Sequence, residues 1–197
     1  TGKEARVYCG VREDGSNVAV KIYLTITAEF RKRLIYIIGD PRFKSVKKDI
    51  KHLVYLWAKK EYKNLKTNYY AGISCPEPYI VSKNVLVMQF IGNNGVSAPL
   101  LRDVNVSNQD YRRILLFMKK MYKDTKLIHA DLSEYNIFKF NRKLIFFDFG
   151  SAVYNTHPKA DEFLTRDINN INHFFKRRDV DVLSIEESLK LVKGNKF

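Results

Sequence analysis

The chain has 197 residues, 45% hydrophobic and 13% aromatic, a composition that excludes disordered and fibrous proteins. No apolar run approaches the roughly 18 residues that span a bilayer, and the two cysteines lack the paired spacing of a zinc site. We therefore expect a soluble protein in a reducing, cytoplasmic location.

Lys and Arg outnumber Asp and Glu by 35 to 21, and this charge of +14 favours RNA, DNA or an anionic assembly as partner. A well-solvated basic surface that binds only a small anion is the alternative.

The first part of the chain predicts a β-hairpin. The stretches ARVYCGV (5–11) and NVAVKIY (17–23) are rich in β-branched and aromatic residues, and Asp14-Gly15 between them is a turn signal. Mixed helical spacing follows over 27–39. The basic segment 40–49, which opens on an Asp-Pro pair, is predicted to be a mobile loop.

A stronger helical pattern covers residues 49–70. Leu53, Trp57 and Leu65 lie near one face of this helix, and Glu61 follows Trp57 by four residues.

Two short strands and a connector come next. Residues 78–90 predict strands around a turn at Lys83-Asn84. The loop 91–99 contains two Gly and one Pro, which favours a connector between two lobes.

The second half of the chain is predicted to be mostly helical. Ser107 with Asp110 is an N-cap signal, and Ser184 with Glu187 is a capping box. Helical patterns cover 111–124, 157–178 and 184–192.

Polar residues cluster between apolar pieces in LIHADLSEYNIF (127–138), where a surface turn is the simpler interpretation. Strand-like pieces follow, and a hairpin there would bring Asn136 and Asp148 together. Two oxygen ligands suit Mg²⁺, which completes its shell with water and phosphate oxygens. Asp131, beside them, is placed to orient a hydroxyl or water and accept its proton. The pattern therefore favours phosphoryl transfer.

Lys21 fits the same chemistry. It lies near the end of the second strand among alternating apolar neighbours, where an unpaired ammonium would be costly. Glu61 is a plausible partner, and the pair would hold the α- and β-phosphates of a nucleotide.

Three of these stretches resemble protein-kinase motifs: VAVKIY (18–23) the β3 lysine motif, HADLSEYN (129–136) the catalytic loop, and DFG (148–150) the metal-binding turn. Two features depart from ordinary kinases. Ala130 replaces the catalytic-loop Arg, and TGKEARVY (1–8) stands where a glycine-rich loop would be.

With CPEP (75–78), LVMQFIG (86–92) and APLL (98–101), these features resemble the RIO family of atypical kinases, most closely its first subfamily. The resemblance runs from Thr1 to about Phe175. RIO kinases often replace the D-F-G glycine, whereas this chain keeps Gly150.

The resemblance implies an α+β, bilobal protein-kinase-like fold. A β-rich N-lobe over about 1–90 and a reduced helical C-lobe over about 91–197 would form a single RIO kinase domain, 1–197. Because Thr1 already lies inside the loop over the phosphates, we expect the natural protein to extend upstream, which makes the chain a fragment.

Site residues follow from the resemblance by position. Asp131 would be the catalytic aspartate, and Asn136 and Asp148 would bind Mg²⁺ or Mn²⁺. Lys21 and Glu61 would form the phosphate-holding pair. The nucleotide would also contact Thr1, Gly2, Lys3 and Glu4 over the phosphates, Met88 as gatekeeper, and the backbones of Gln89 and Ile91 at the adenine.

The function that the resemblance implies is an ATP-dependent serine/threonine kinase or ATPase, capable of autophosphorylation and acting in small ribosomal subunit maturation and pre-rRNA processing. The charge of +14 suits a precursor particle rich in RNA. One alternative is the small kinase of the tRNA threonylcarbamoyl-adenosine machinery, whose loop reads more like H-G-D-L-T-x-x-N. Another is a pseudokinase or RNA-binding scaffold, against which the intact Lys21, Asp131, Asn136 and Asp148 count.

Two further expectations concern the loop and its surroundings. His129 is expected to be a hydrogen-bonded structural histidine rather than a proton-transfer group. The stretch SAVYNTHPKADEFL (151–164) passes almost directly from the D-F-G turn into a helix, which leaves little surface to align a peptide. We therefore expect slow ATP turnover and self-phosphorylation.

Overall fold

A computed structural model of the protein describes residues 5–24, 33–37, 42 and 50–194. Thr1–Glu4 lie outside these residues, as do nearly all of the predicted loop 40–49 and most of the segment 27–39. Within the latter, Arg33–Tyr36 forms a single 3₁₀ turn.

The N-terminal part folds into a four-stranded antiparallel sheet in the order β1-β2-β4-β3. The predicted hairpin is confirmed as β1 (Ala5–Val11) and β2 (Asn17–Tyr23). Gly15 has φ +80°, a left-handed conformation that suits glycine, and Asp14 Oδ1 accepts a 2.8 Å hydrogen bond from the amide of Ser16. The remaining strands are β3 (Pro78–Ser82) and β4 (Val85–Gln89), around the predicted turn.

One long helix, α1 (Ile50–Tyr70), packs against β3 and β4. Leu53, Trp57 and Leu65 are buried, as the apolar spacing predicts. The same helix also buries Lys60, Glu61, Asn64 and Asn68, polar side chains that need partners once they leave water.

The connector after the sheet is more ordered than the predicted loop. Gly92–Asn93 (β5) and Val96–Ser97 (β6) pair as a short hairpin. Asn94 and Gly95 at its tip both have positive φ, as a tight hairpin turn requires.

The second half is mostly helical. Helix α2 (Asn108–Lys120) begins three residues before the predicted start, because Asp110 already occupies its first turn in a capping box with Ser107. A π-helical turn, Met121–Thr125, continues it. Helices α3 (Ala160–Lys176) and α4 (Ile185–Lys193) follow, and α4 carries the predicted box of Ser184 with Glu187.

Short strands join these helices. The chain forms β7 (Leu127–Ile128), β8 (Ile137–Phe140), β9 (Lys143–Phe146) and β10 (Val153–Tyr154). Strands β8 and β9 form the predicted hairpin, and the amide of Phe147 donates to the carbonyl of Asn136 at 3.0 Å where it closes. The hairpin therefore brings its two ends together.

Among the described residues, no helix is long and apolar enough to cross a membrane.

Candidate active site

A cleft of about 1240 Å³ lies between the sheet and the helical half. Its walls come from β1, β2, the connector, the 129–136 loop and the turn after β9. The predicted site residues that line it are Lys21, Met88, Gln89, Ile91, Asp131, Asn136 and Asp148.

Lys21 contacts two carboxylates in this cleft. Its Nζ lies 2.9 Å from each carboxylate oxygen of Glu61 and 3.0 Å from Oδ1 of Asp148. Burial by itself lowers the pKa of Lys21, but the charges of Asp148 and Glu61 outweigh it and raise the pKa above its ordinary value. Lys21 is therefore a permanent cation that joins the sheet, α1 and the turn after β9.

Glu61 lies behind Lys21 and is buried. It accepts a second hydrogen bond, from the hydroxyl of Tyr23. Burial raises the pKa of Glu61 and opposes the effect of Lys21. Sequence reasoning missed Tyr23, although its position two residues after Lys21 places both side chains on one face of the strand.

The 129–136 loop is fixed by hydrogen bonds to its backbone. Nδ2 of Asn136 donates to the carbonyl of Asp131 at 2.6 Å. His129 makes a 3.0 Å hydrogen bond from Nε2 to the carbonyl of Phe147, and because a carbonyl only accepts, Nε2 carries the proton. This hydrogen-bonded, buried histidine matches the predicted structural role. The Asp131 side chain is exposed to the cleft.

Asp167 on α3 is a second residue that sequence reasoning missed. Its carboxylate accepts hydrogen bonds from the backbone amides of Ala130 at 2.7 Å and Leu132 at 2.9 Å. Burial raises its pKa to about 7, against the lowering effect of these bonds. The signal in the sequence is an acidic residue at helical spacing from Phe163, Leu164 and Ile171, since a carboxylate on an apolar face needs buried donors.

The D-F-G turn approaches α1 too closely for a side chain. A Cβ on Gly150 would lie 2.8 Å from Nε1 of Trp57 and 3.1 Å from Oε2 of Glu61. Packing of α1 therefore explains why this chain keeps Gly150. Asp148, two residues earlier, has φ +64°, a region that non-glycine residues seldom adopt.

Asn136 and Asp148 have the chemistry of a magnesium site. Because Nδ2 of Asn136 is committed to Asp131, its Oδ1 is the atom that remains for a cation. One carboxylate and one amide oxygen suit Mg²⁺, which is often held by one or two protein ligands together with phosphates and water. No group of three or more His, Cys, Asp or Glu that could hold a metal occurs within the described part of the chain.

The opposite end of the cleft offers backbone groups. The amide of Gln89 donates to the carbonyl of Glu77 at 2.8 Å, and the carbonyl of Ile91 accepts from Ala98 at 2.8 Å. The amide of Ile91 has no acceptor among residues 5–24, 33–37, 42 and 50–194. This donor and the buried Met88 suit a flat heterocycle with an acceptor at its edge.

The family model of the RIO domain matches residues 6–188. The chain belongs to the RIO family. This membership sets it apart from the kinase of the tRNA-modification machinery, the alternative whose loop reads more like H-G-D-L-T-x-x-N.

Curated relatives agree with this assignment. The RIO chain is 38% identical over 198 residues to the serine/threonine-protein kinase RIO1 of Caenorhabditis elegans, covering 98% of this chain and 39% of the relative. It is 41% identical over 164 residues to the RIO-type serine/threonine-protein kinase Rio1 of Thermoplasma acidophilum, covering 83% of this chain and 87% of the relative. It thus spans well under half of the nematode protein and most of the archaeal one.

A solved structure shares the fold. The Rio2 kinase of Chaetomium thermophilum, crystallised as an ADP/Mg²⁺-phosphoaspartate complex, superposes with a TM-score of 0.70 at 26% identity, covering 100% of this chain and 60% of that chain. The predicted α+β, kinase-like fold with a β-rich N-terminal part is confirmed.

In this RIO chain His129 is expected to stay neutral throughout the physiological range. Burial lowers its pKa to about 4, from an ordinary value of 6.5. As the pH falls below about 6.5, His129 becomes protonated in the unfolded chain but stays neutral in the folded chain. This group therefore lowers the stability of the fold progressively between pH 6.5 and about 4.

An NMR titration of the imidazoles tests this expectation. The His129 signal, identified by its loss in a His129→Gln variant, should keep the Nε2–H tautomer and show no titration between about pH 5 and 8. A midpoint near 6.5 would contradict the buried neutral state.

Proposed function

We propose that the chain is the catalytic domain, 1–197, of an ATP-dependent serine/threonine kinase or ATPase of the RIO type. The observation that carries the proposal is Lys21, held by Glu61 and Asp148 in a cleft that also exposes Asp131 and Asn136. The kinase names of the relatives support it, as does the ADP and Mg²⁺ in the Rio2 crystal.

The phosphate end of the site is organised by fixed charges. Lys21 would bind the α- and β-phosphates, and Glu61 holds its side chain so that little rotamer freedom is lost on binding. A permanent cation is needed there because the phosphates of ATP are strongly anionic. Thr1–Glu4, which precede β1, would cover the phosphates.

Transfer then depends on two carboxylates with different tasks. Mg²⁺ or Mn²⁺, when bound with the nucleotide, supplies charge neutralisation at the phosphates. Asp148 and Asn136 would hold the metal. Asp131 would orient the attacking hydroxyl or water and accept its proton.

The adenine end needs only backbone and apolar contacts. Met88 would pack against the ring as gatekeeper, and the backbones of Gln89 and Ile91 would hydrogen-bond its edge. The amide of Ile91, which has no acceptor within the described part of the chain, supports this role.

The chain between the D-F-G turn and α3 is short. Only residues 151–159 lie between Gly150 and the start of α3 at Ala160, so no long activation segment is present between these elements. Since phosphoryl transfer relies on positioning, we propose slow turnover, self-phosphorylation, and use of the nucleotide state to control association with a large partner.

Incubation of the protein with γ-labelled ATP tests the proposed activity. We expect label on the protein itself, slow release of phosphate, and loss of both in Asp131→Asn. Turnover on generic peptides within the roughly 1–100 s⁻¹ typical of kinases would contradict the slow-turnover proposal. Absence of Mg²⁺-dependent nucleotide binding in the wild-type protein would instead favour a scaffold.

The cellular role that we propose is cytoplasmic maturation of the small ribosomal subunit and processing of its precursor RNA. The charge of +14 supports an RNA-rich partner. Neutralising phosphates releases counterions, so affinity for precursor ribosomal RNA should fall steeply with salt, with a log–log slope of roughly −0.7 to −0.9 per phosphate contacted. Filter binding across a salt series measures the slope, and a flat response would mean that the charge serves another purpose.

A further inference from the structure

Two side chains of α1 donate hydrogen bonds to the backbone of the segment that follows Asp148. Lys60 is fully buried, and its Nζ donates to the carbonyl of Gly150 at 2.8 Å and also to that of Ala152. Nδ2 of Asn64, one turn further along, donates to the carbonyls of Phe149 at 2.9 Å and Ala152 at 3.0 Å. Three carbonyls of this short turn therefore have their donors on the helix.

The same helix carries Glu61, which holds Lys21. Lys21 in turn contacts Asp148, the residue directly before the segment 149–152 that Lys60 and Asn64 hold. The contacts thus form a closed ring that runs from Asp148 through Lys21 and Glu61 to α1, and back through Lys60 and Asn64. A displacement of α1 would disturb both sides of Asp148 at once.

This turn needs external support. Asp148 adopts a left-handed φ of +64°, a strained conformation that persists only where the surrounding structure holds it in place. Buried carbonyls without donors would add a further penalty. Gly150 permits the close approach of α1 that brings the donors of Lys60 and Asn64 within reach.

We propose that Lys60 and Asn64 are positioning residues that hold the D-F-G turn against α1 and thereby orient the Asp148 carboxylate for the metal. The proposal rests on the proposed function, because it concerns the metal that accompanies the nucleotide. The ammonium of Lys60 donates to the carbonyls of Gly150 and Ala152. Neither Lys60 nor Asn64 lines the cleft. Both therefore act through Asp148 rather than on the nucleotide.

Two substitutions remove the donors with little change in size. Lys60→Met keeps an unbranched side chain, one heavy atom shorter than lysine, and removes the ammonium. Asn64→Asp is isosteric, leaves the oxygen that accepts from Arg42 at 2.8 Å, and turns the donor towards Phe149 and Ala152 into an acceptor. Lys59→Met, on the exposed face of the same helix, is the matched control.

The main measurement is calorimetric titration of ADP at increasing Mg²⁺. In Lys60→Met and Asn64→Asp the Mg²⁺ concentration for half-maximal enhancement of ADP binding should rise roughly 10- to 100-fold, as for other residues that orient metal ligands. ADP affinity without metal should stay at the wild-type value, which a general loss of structure would not allow. Lys59→Met should match the wild type throughout.

Amide hydrogen exchange gives a second readout that needs no nucleotide. The amide of Ala152 donates to the carbonyl of Phe149 at 3.2 Å, and its exchange should accelerate in both variants and not in Lys59→Met. A wild-type Mg²⁺ midpoint in folded Asn64→Asp protein would overturn the proposal, even if Lys60→Met failed to fold. Unchanged exchange at Ala152 would also overturn it. Absence of Mg²⁺-dependent ADP binding in the wild-type protein would instead overturn the proposed function. The exchange of the Ala152 amide would still show whether Lys60 and Asn64 hold the D-F-G turn.

Discussion

Replacing Asp148 with alanine is expected to abolish Mg²⁺-dependent nucleotide binding. The substitution removes the only carboxylate that we assign to the metal, and it also removes one of the two anions that lie beside Lys21 among the described residues. The loss of Mg²⁺ affinity should exceed the roughly 10- to 100-fold typical of residues that only orient a ligand. Isothermal titration of ATP with and without Mg²⁺ measures the effect.

An isosteric variant separates charge from shape at this position. Asp148→Asn keeps the size of the side chain and an oxygen, so it should bind Mg²⁺-ATP weakly rather than not at all. Asp161→Ala, which removes an exposed carboxylate on α3 that pairs with Lys193, is the control and should behave as wild type. Wild-type Mg²⁺-ATP binding by Asp148→Ala would exclude Asp148 as the metal ligand.

Asp131→Ala is expected to act on the rate instead. We assign its carboxylate to the attacking group, so its loss should leave Mg²⁺-ATP binding nearly intact and slow self-phosphorylation by a factor of about 10²–10⁴, the usual share of general acid–base catalysis. The loop should keep its shape, because Asn136 binds the carbonyl of Asp131 and not its side chain. Single-turnover transfer of label measures the rate directly.

The contrast between the two variants is the critical result. Equal loss of ATP affinity in Asp131→Ala and Asp148→Ala would contradict the separate roles. An unchanged rate in Asp131→Ala would mean that another group handles the proton, or that transfer needs no base.

The residue that replaces the usual catalytic-loop Arg is part of the support of this loop. Ala130 is fully buried with φ +63°. Its amide binds Asp167, and its carbonyl accepts a hydrogen bond from Arg166. Helix α3 therefore supplies both a carboxylate and a guanidinium to the backbone at this point, and these contacts fix the loop.

Local sequence determined the parts of the site that depend on short-range geometry. The alternation of NVAVKIY placed Lys21 on a buried strand face, and the hairpin after Asn136 returned the chain to Asp148. Helical spacing placed Glu61 on the same buried side of α1 as Trp57. These inferences succeeded because strand and helix periods, and the closure of a hairpin, are fixed by nearby residues.

Only the tertiary structure decided which distant groups support them. Asp167 reaches the loop across 37 residues, and Lys60 reaches Gly150 across 90. Nothing in either local pattern specifies the partner, since a buried charge predicts that a partner exists without saying which backbone groups supply it. Likewise the D-F-G tripeptide alone does not explain Gly150, whose lack of a side chain is required by the approach of Trp57 and Glu61. Short-range patterns in the sequence thus brought Lys21, Glu61, Asn136 and Asp148 into one region, whereas long-range packing decided what holds them in position.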